Sequence, residues 1–288
     1  MNPLDLLLDP LQYDFVLRAL GAATVAAAVC ALLSCWLVLI GWSLMGDAVS
    51  HAVLPGVVVA SIVGLPFAVG ALIAGFVAVG AIGVIRDRSR VKEDAAMGIV
   101  FTTMFASGLV LISVIPSQTD LQHIIFGDVL GVSNADLLQI GLLSAAVAVT
   151  VIVKRRDLTL YAFDAQHAFA IGLSPGRLRA LLLAVLAATA VVALQVAGVI
   201  LVVAMLVIPG ATARLLTDRF GRMLVIAPII AAAAAVVGIY LSFWWDTASG
   251  PLVVVVQGAV FAVVWLVSPL RRTGSTGRPR RRAAIVGA

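Results

Sequence analysis

The sequence predicts an all-α fold: a polytopic helical membrane protein with about eight or nine transmembrane helices, at least one of them broken. Three observations predict it. Hydrophobic residues make up 62% of the 288 residues and charged residues only 11%, with a mean hydropathy of +1.16. Soluble domains are about 45–50% apolar and about 25% charged. Several apolar runs reach the roughly 20 residues that a helix needs to cross about 30 Å of hydrocarbon. Lipid offers no partner to open backbone groups, so such runs cross as helices. Lastly, apart from Arg18, Lys and Arg cluster at alternate connections between the runs.

In order, the runs place spans at about 15–40, 49–63, 66–85, 95–115, 137–153, 179–197, 198–216, 222–242 and 252–268. The N-terminal stretch MNPLDLLLDPLQYD carries Asp5, Asp9 and Asp14 but no basic n-region. The first span is therefore expected to act as its own insertion signal. Cys30 and Cys35 lie inside it, do not form a CxxC pair, and read as small packing residues. The second run is short and interrupted by Pro55 and Gly56. The stretch 179–216 is too long for one crossing, and Gly198 divides it. The count of eight or nine turns on that division.

Charge sets the orientation. The clusters RDRSRVKED (86–94), KRRD (154–157), Arg177 with Arg179, RLLTDRFGR (214–222) and the tail from Arg271 all fall on one side if nine spans start outside. The segments left outside, 116–136 and 243–250, contain no Lys or Arg. Short basic loops stay cytoplasmic, so the N-terminus is expected outside and the C-terminus inside. Residues 1–270 are then expected to form the transmembrane domain. Residues 271–288 form a basic, disordered cytoplasmic tail with six arginines, read as an anchor on anionic lipid. Nucleic-acid binding has no supporting fold.

The stretch GDAVSHAVLPG (46–56) carries the chemistry. Asp47 and His51 stand four residues apart, on one face of a helix. A carboxylate and an imidazole suit divalent Mn²⁺, Fe²⁺ or Zn²⁺. Pro55 has no N–H, so the His51 carbonyl loses its helical donor, and interrupted helices at membrane depth line cavities or are covered by protein. Ionisable groups inside a span cost about 2.5–3.5 kcal/mol each, which marks them as functional candidates. Two plainer readings stay open from the residues alone: Asp47 as a helix N-cap, and His51 as a hydrogen-bonding partner of a neighbouring helix.

Other candidates are weaker. His123, with Asp120 and Asp128, lies in an outside loop, and His167 in a cytoplasmic one. Gly127 and Gly131 form a GxxxG. Phe243, Trp244 and Trp245 read as an interfacial aromatic belt, with Asp246 solvated beside them. In 161–180, Asp164 to Ile171 is expected to form a short helix capped by Gly172. Ser174-Pro175-Gly176 then turns the chain. The motifs GxxxxGK[ST] and HExxH are absent from the sequence, so no P-loop or zinc-protease site is written in this chain.

SLMGDAVSHAVLPGVVVA (43–60) resembles the signature of the permease subunits of the manganese/zinc/iron class of ABC importers. The blocks IIFGDVLGVSNADL (124–137), DAQHAFAIGLSP (164–175) and AGVILVVAMLVIPGATARLL (197–216) resemble that family in order. The resemblance implies a type II ABC importer-like fold in the bacterial plasma membrane. It implies a homodimer working with a cytoplasmic ATP-binding subunit and an extracytoplasmic metal-binding protein. Asp47 and His51 would line the metal path, in its outer half, with Mn²⁺ or Zn²⁺, and also Fe²⁺, as cargo and no permanent cofactor. Asp164, Ala165, Ala168 and Gly172 match the loop that couples to the ATPase. Family members usually carry a basic residue just before SLMGD, where this chain has Gly41-Trp42.

Rival readings are a secondary, non-ATP metal transporter, a membrane metalloenzyme, and a non-transporting scaffold. The first predicts uptake by this chain alone and more buried acids than the spans contain. The second needs a further ligand and a general base, and the third leaves Asp47 and His51 unexplained.

Overall fold

The computed structural model describes residues 9–114, 131–198 and 202–273, where all regular structure is helical. After a 3₁₀ turn (Asp9–Gln12) come α1 (Asp14–Ile40), α2 (Ser43–Ala52), α3 (Leu54–Val63), α4 (Phe67–Arg88), α5 (Glu93–Val114) and α6 (Asn134–Val153). They are followed by α7 (Arg155–Phe163), α8 (Ala165–Ala170), α9 (Pro175–Ala197), α10 (Val202–Leu216), α11 (Phe220–Trp245) and α12 (Ser249–Thr273). Among the described residues eight spans are long and apolar enough to cross a membrane, α2 and α3 counting together as one. α10 is a shorter apolar helix. The division near Gly198 is present. α9 ends at Ala197, and Gly198 takes φ 74° and ψ 170°, a conformation open to glycine alone.

Several boundaries differ from the sequence reading. The second span begins at Ser43 rather than near 49, because polar Ser43, Asp47, Ser50 and His51 lower the hydropathy of a stretch that is still helical. α6 starts at Asn134, held by a capping box in which Ser133 Oγ accepts from the Asp136 N–H and the Asp136 carboxylate accepts from the Ser133 N–H. Pro175 is the first residue of α9 rather than part of a turn, where its missing N–H costs nothing. α7 was not foreseen; it is amphipathic, and its Leu158 is fully buried. α12 runs three residues past the boundary expected at 270. His123, Asp120, Asp128 and Gly127, and the tail from 274, lie outside the described residues.

α1 is the centre of the bundle, packed against α6, α9, α10 and α11. Its buried face is rich in small residues (Ala19, Ala22, Ala23, Ala26, Ala27), as is usual where membrane helices approach closely. Trp36 is fully buried there, edge-on to Phe220 of α11 at 5.1 Å. Cys30 and Cys35 are free and buried, as expected of packing residues. Ser34 meets the proline kink of α10. Its hydroxyl accepts from the Gly210 N–H at 3.0 Å and donates to the Val207 carbonyl at 3.3 Å, satisfying backbone that Pro209 disturbs. At the start of α2, the Arg179 guanidinium of α9 lies 5.4 Å from the Trp42 ring.

α3 and α4 cross backbone to backbone. A Cβ on Gly56 would overlap the Gly70 carbonyl and sit 2.6 Å from the Ala74 methyl. A Cβ on Gly70 would overlap the Gly56 carbonyl and sit 2.6 Å from the Ala60 methyl. Gly56/Ala60 and Gly70/Ala74 are thus two interlocked small-xxx-small pairs. Gly64 at φ 73° closes α3, and the Leu65 N–H returns to the Ala60 carbonyl.

Candidate metal path and coupling loop

The span Ser43–Val63 is interrupted at one residue. Val53 keeps helical angles (φ −77°, ψ −16°). Pro55 sits in the first turn of α3, where no N–H is needed. The interruption is therefore a kink, not an unwound segment. Pro55 leaves the His51 carbonyl without its usual helical donor, as expected. Gly56, expected as part of the break, is instead the close-packing point with α4. α5 presses on the kink through Gly108, where a Cβ would meet Leu54 at 2.9 Å and the Pro55 nitrogen at 3.0 Å.

Helical spacing brings Asp47 and His51 together. His51 Nδ1 lies 3.1 Å from Asp47 Oδ1, with the side chains 17% and 35% exposed. The same nitrogen is 3.1 Å from the Asp47 carbonyl and 3.3 Å from Ser50 Oγ, and Ser50 Oγ donates to the Asp47 carbonyl at 2.9 Å. Both pair members therefore stand on a fixed local network. With a proton on Nδ1, His51 donates to Asp47 and leaves Nε2 as a free donor atom for a metal. A separation of 3.1 Å is also near that of two ligand atoms with bonds of about 2.1 Å at right angles, so the geometry suits shared coordination as well.

Sequence reasoning missed the groups that hold the ring. Phe101 and Phe105 of α5 meet His51 edge-on, at 5.0 and 5.4 Å between centroids. Their four-residue spacing in VFTTMFA was visible, but two phenylalanines in an apolar helix carry no distinguishing signal. Leu44, Asp47, His51 and Pro55 form the stripe of α2 and α3 left at least partly open, while Met45, Gly46, Ala48 and Val49 are buried. Among the described residues no third His, Cys, Asp or Glu joins the pair. At 1.5 Å per residue His51 lies about 12 Å into a span of about 30 Å. It is thus at mid-depth, with Asp47 one turn nearer the Ser43 end.

The loop after α6 forms a capped helix, as expected. The Asp164 carboxylate accepts from the Gln166 and His167 N–H groups at 3.0 and 2.9 Å. Ala165 is exposed and Ala168 is buried. Gly172 at φ 88° ends the helix, with its N–H on the Phe169 carbonyl and the Leu173 N–H on the Ala168 carbonyl, a Schellman closure. His167 is exposed, while Phe169 and Ile171 hold apolar surface in the open at 72% and 56%.

Fold and site together describe a polytopic helical membrane protein with a kinked central span bearing an Asp–His pair. Residues 12–268 match the ABC 3 transport family, and the chain belongs to it. It is 47% identical over 263 residues (91% of this chain, 86% of the other) to the manganese transport system membrane protein MntB of a Synechocystis strain. It is 46% identical over 266 residues (92% and 90%) to the chelated iron transport system membrane protein YfeC of Yersinia pestis. The structure of PsaBC from Streptococcus pneumoniae in complex with Fab superposes with a TM-score of 0.85 at 36% identity, covering 92% of this chain and 96% of that one.

Proposed function

We propose that the chain is the permease subunit of an ATP-driven importer of a divalent transition metal, with the ion passing Asp47 and His51. The carrying observation is the 3.1 Å Asp–His pair on the open stripe of a kinked span, in a chain whose relatives are named for manganese and iron transport. Those names favour Mn²⁺ or Fe²⁺. The donor set alone admits Zn²⁺ equally. Two protein donors hold a hydrated ion weakly, which suits passage rather than storage.

The chain works as a homodimer: a second copy brings a second pair to an otherwise incomplete site. ATP hydrolysis resides on a separate cytoplasmic subunit, since this sequence has no P-loop, and an extracytoplasmic binding protein delivers the ion. The α8 loop, with Phe169 and Ile171 exposed, seats on the ATPase, and ATP turnover moves it to switch access from one side to the other. The N-terminus lies outside and the C-terminus in the cytoplasm of a bacterial inner membrane. In that orientation the Ser43 end is cytoplasmic. The pair then belongs at mid-depth and towards the inside, not in the outer half first inferred.

The test is uptake of radioactive Mn²⁺ and Fe²⁺ by cells carrying the full transporter. Asp47→Asn and His51→Ala should each reduce uptake at least tenfold, at equal amounts of protein in the membrane. Uptake at the wild-type rate by either variant refutes the path.

A further inference from the structure

A cleft of about 460 Å³ opens between α7 and the first turns of α11. Ligand sites commonly span about 300–1,000 Å³. Its floor is apolar, made by Leu160, Phe163, Phe220 and Leu224, and Arg155 and Arg156 stand on its lining. Both arginines are exposed. Neither forms an ion pair or side-chain hydrogen bond with a described residue; the nearby Asp157 is taken by Lys154 at 3.3 Å. Thr159 also borders the cleft, and its hydroxyl has no partner among the described residues. α11 begins there without a side-chain cap, and Arg219 and Arg222 flank its start.

We propose that this cleft is a binding site for one anionic phospholipid, its phosphate held by Arg155 and Arg156 and its upper acyl chain laid on Phe163, Phe220 and Leu224. The chemistry selects this occupant. Two guanidinium groups without a partner among the described residues call for a phosphate oxygen acceptor. The apolar floor directly beside them calls for hydrocarbon, and one molecule supplies both only if it is an acidic lipid. The cleft also lies at the end of a span where chain leaves the hydrocarbon. Basic pockets between membrane helices at that level take acidic headgroups. An acidic segment of a protein partner would satisfy the arginines but leave the phenylalanine floor uncovered. α7 packs directly on α8, so the lipid would brace the base of the coupling loop. Naming the leaflet as cytoplasmic rests on the orientation proposed above; the cleft and its ligand chemistry do not.

The test uses the full chain, purified in detergent and supplied with phosphatidylglycerol or phosphatidylcholine in mixed micelles. Bound lipid is read by native mass spectrometry. Wild type should retain phosphatidylglycerol at least about tenfold over phosphatidylcholine. Arg155→Gln with Arg156→Gln should abolish that preference. Gly221→Leu tests the cleft with both charges intact. Gly221 lines it and has open space at its Cβ, so leucine should fill the floor and displace the lipid without unfolding the chain. Absence of a preference in wild type overturns the proposal, and so does its survival in either variant. Full displacement of the lipid by millimolar glycerol phosphate overturns it too, by showing a site for free phosphate. Loss of the lipid when the ATPase subunit is added overturns it in favour of a protein contact. Mn²⁺ uptake is a separate readout, so failure here leaves the metal path standing, and the reverse holds.

Discussion

Replacing Gly56 with alanine should lower stability by an amount set at the α3–α4 crossing. The added methyl overlaps the Gly70 carbonyl and lies 2.6 Å from the Ala74 methyl. Carbon atoms rest at about 3.5–4.0 Å, so the two helices must part by about 1 Å. Overpacking typically costs about 1–3 kcal/mol, and the upper end applies here because the atoms met are backbone. At about 2–4 °C per kcal/mol the midpoint should fall by roughly 5–10 °C. The assay is thermal unfolding of the purified protein in detergent, followed by tryptophan fluorescence. Two companions make the reasoning strict. Gly83→Ala on α4 meets no atom within 4 Å and should raise the midpoint slightly, since alanine is the better helix former by about 0.5–1 kcal/mol. Ala74→Gly added to Gly56→Ala removes one of the two overlaps, so recovery should be partial. An unchanged midpoint for Gly56→Ala, or full rescue by Ala74→Gly, refutes the account.

Ser34→Ala leaves the Gly210 N–H without its partner at the α10 kink and should cost about 1–3 kcal/mol, read in the same melting assay; Ser34→Thr should cost less if its hydroxyl is retained. Asp164→Ala removes both cap hydrogen bonds of α8 and should destabilise that helix by about 0.5–2 kcal/mol. Amide hydrogen exchange should then speed up across 165–170 alone, while Asp164→Asn keeps most of the protection.

Spans and their order were legible because hydrocarbon demands long apolar helices, and few other solutions exist. Reading failed where a span is not uniformly apolar. The stretch from Ser43 to His51 was partly lost because its polar groups lower the hydropathy of a segment that is still helical, and α7 because Arg155 and Arg156 hide an apolar face. The Asp47–His51 pair was legible since helical spacing alone brings it together. Phe101 and Phe105 were not, because their meeting with His51 is set by how α5 crosses α2. Gly56 was read as a breaker beside Pro55, although its reason is Gly70, a residue distant along the chain. Local chemistry is written in neighbouring letters; contact between helices is not.

The Trp42–Arg179 contact has a consequence for biogenesis. The loop between α1 and α2 holds no basic residue of its own, and the guanidinium that covers Trp42 arrives only with α9. While the ribosome is still working, the first hairpin enters the bilayer with no local cation to fix its footing. Its seating is completed retrospectively, when a helix made much later reaches back to it. Truncated nascent chains that stop before Arg179 should therefore show a hairpin free to slide, whose position settles once that residue has emerged.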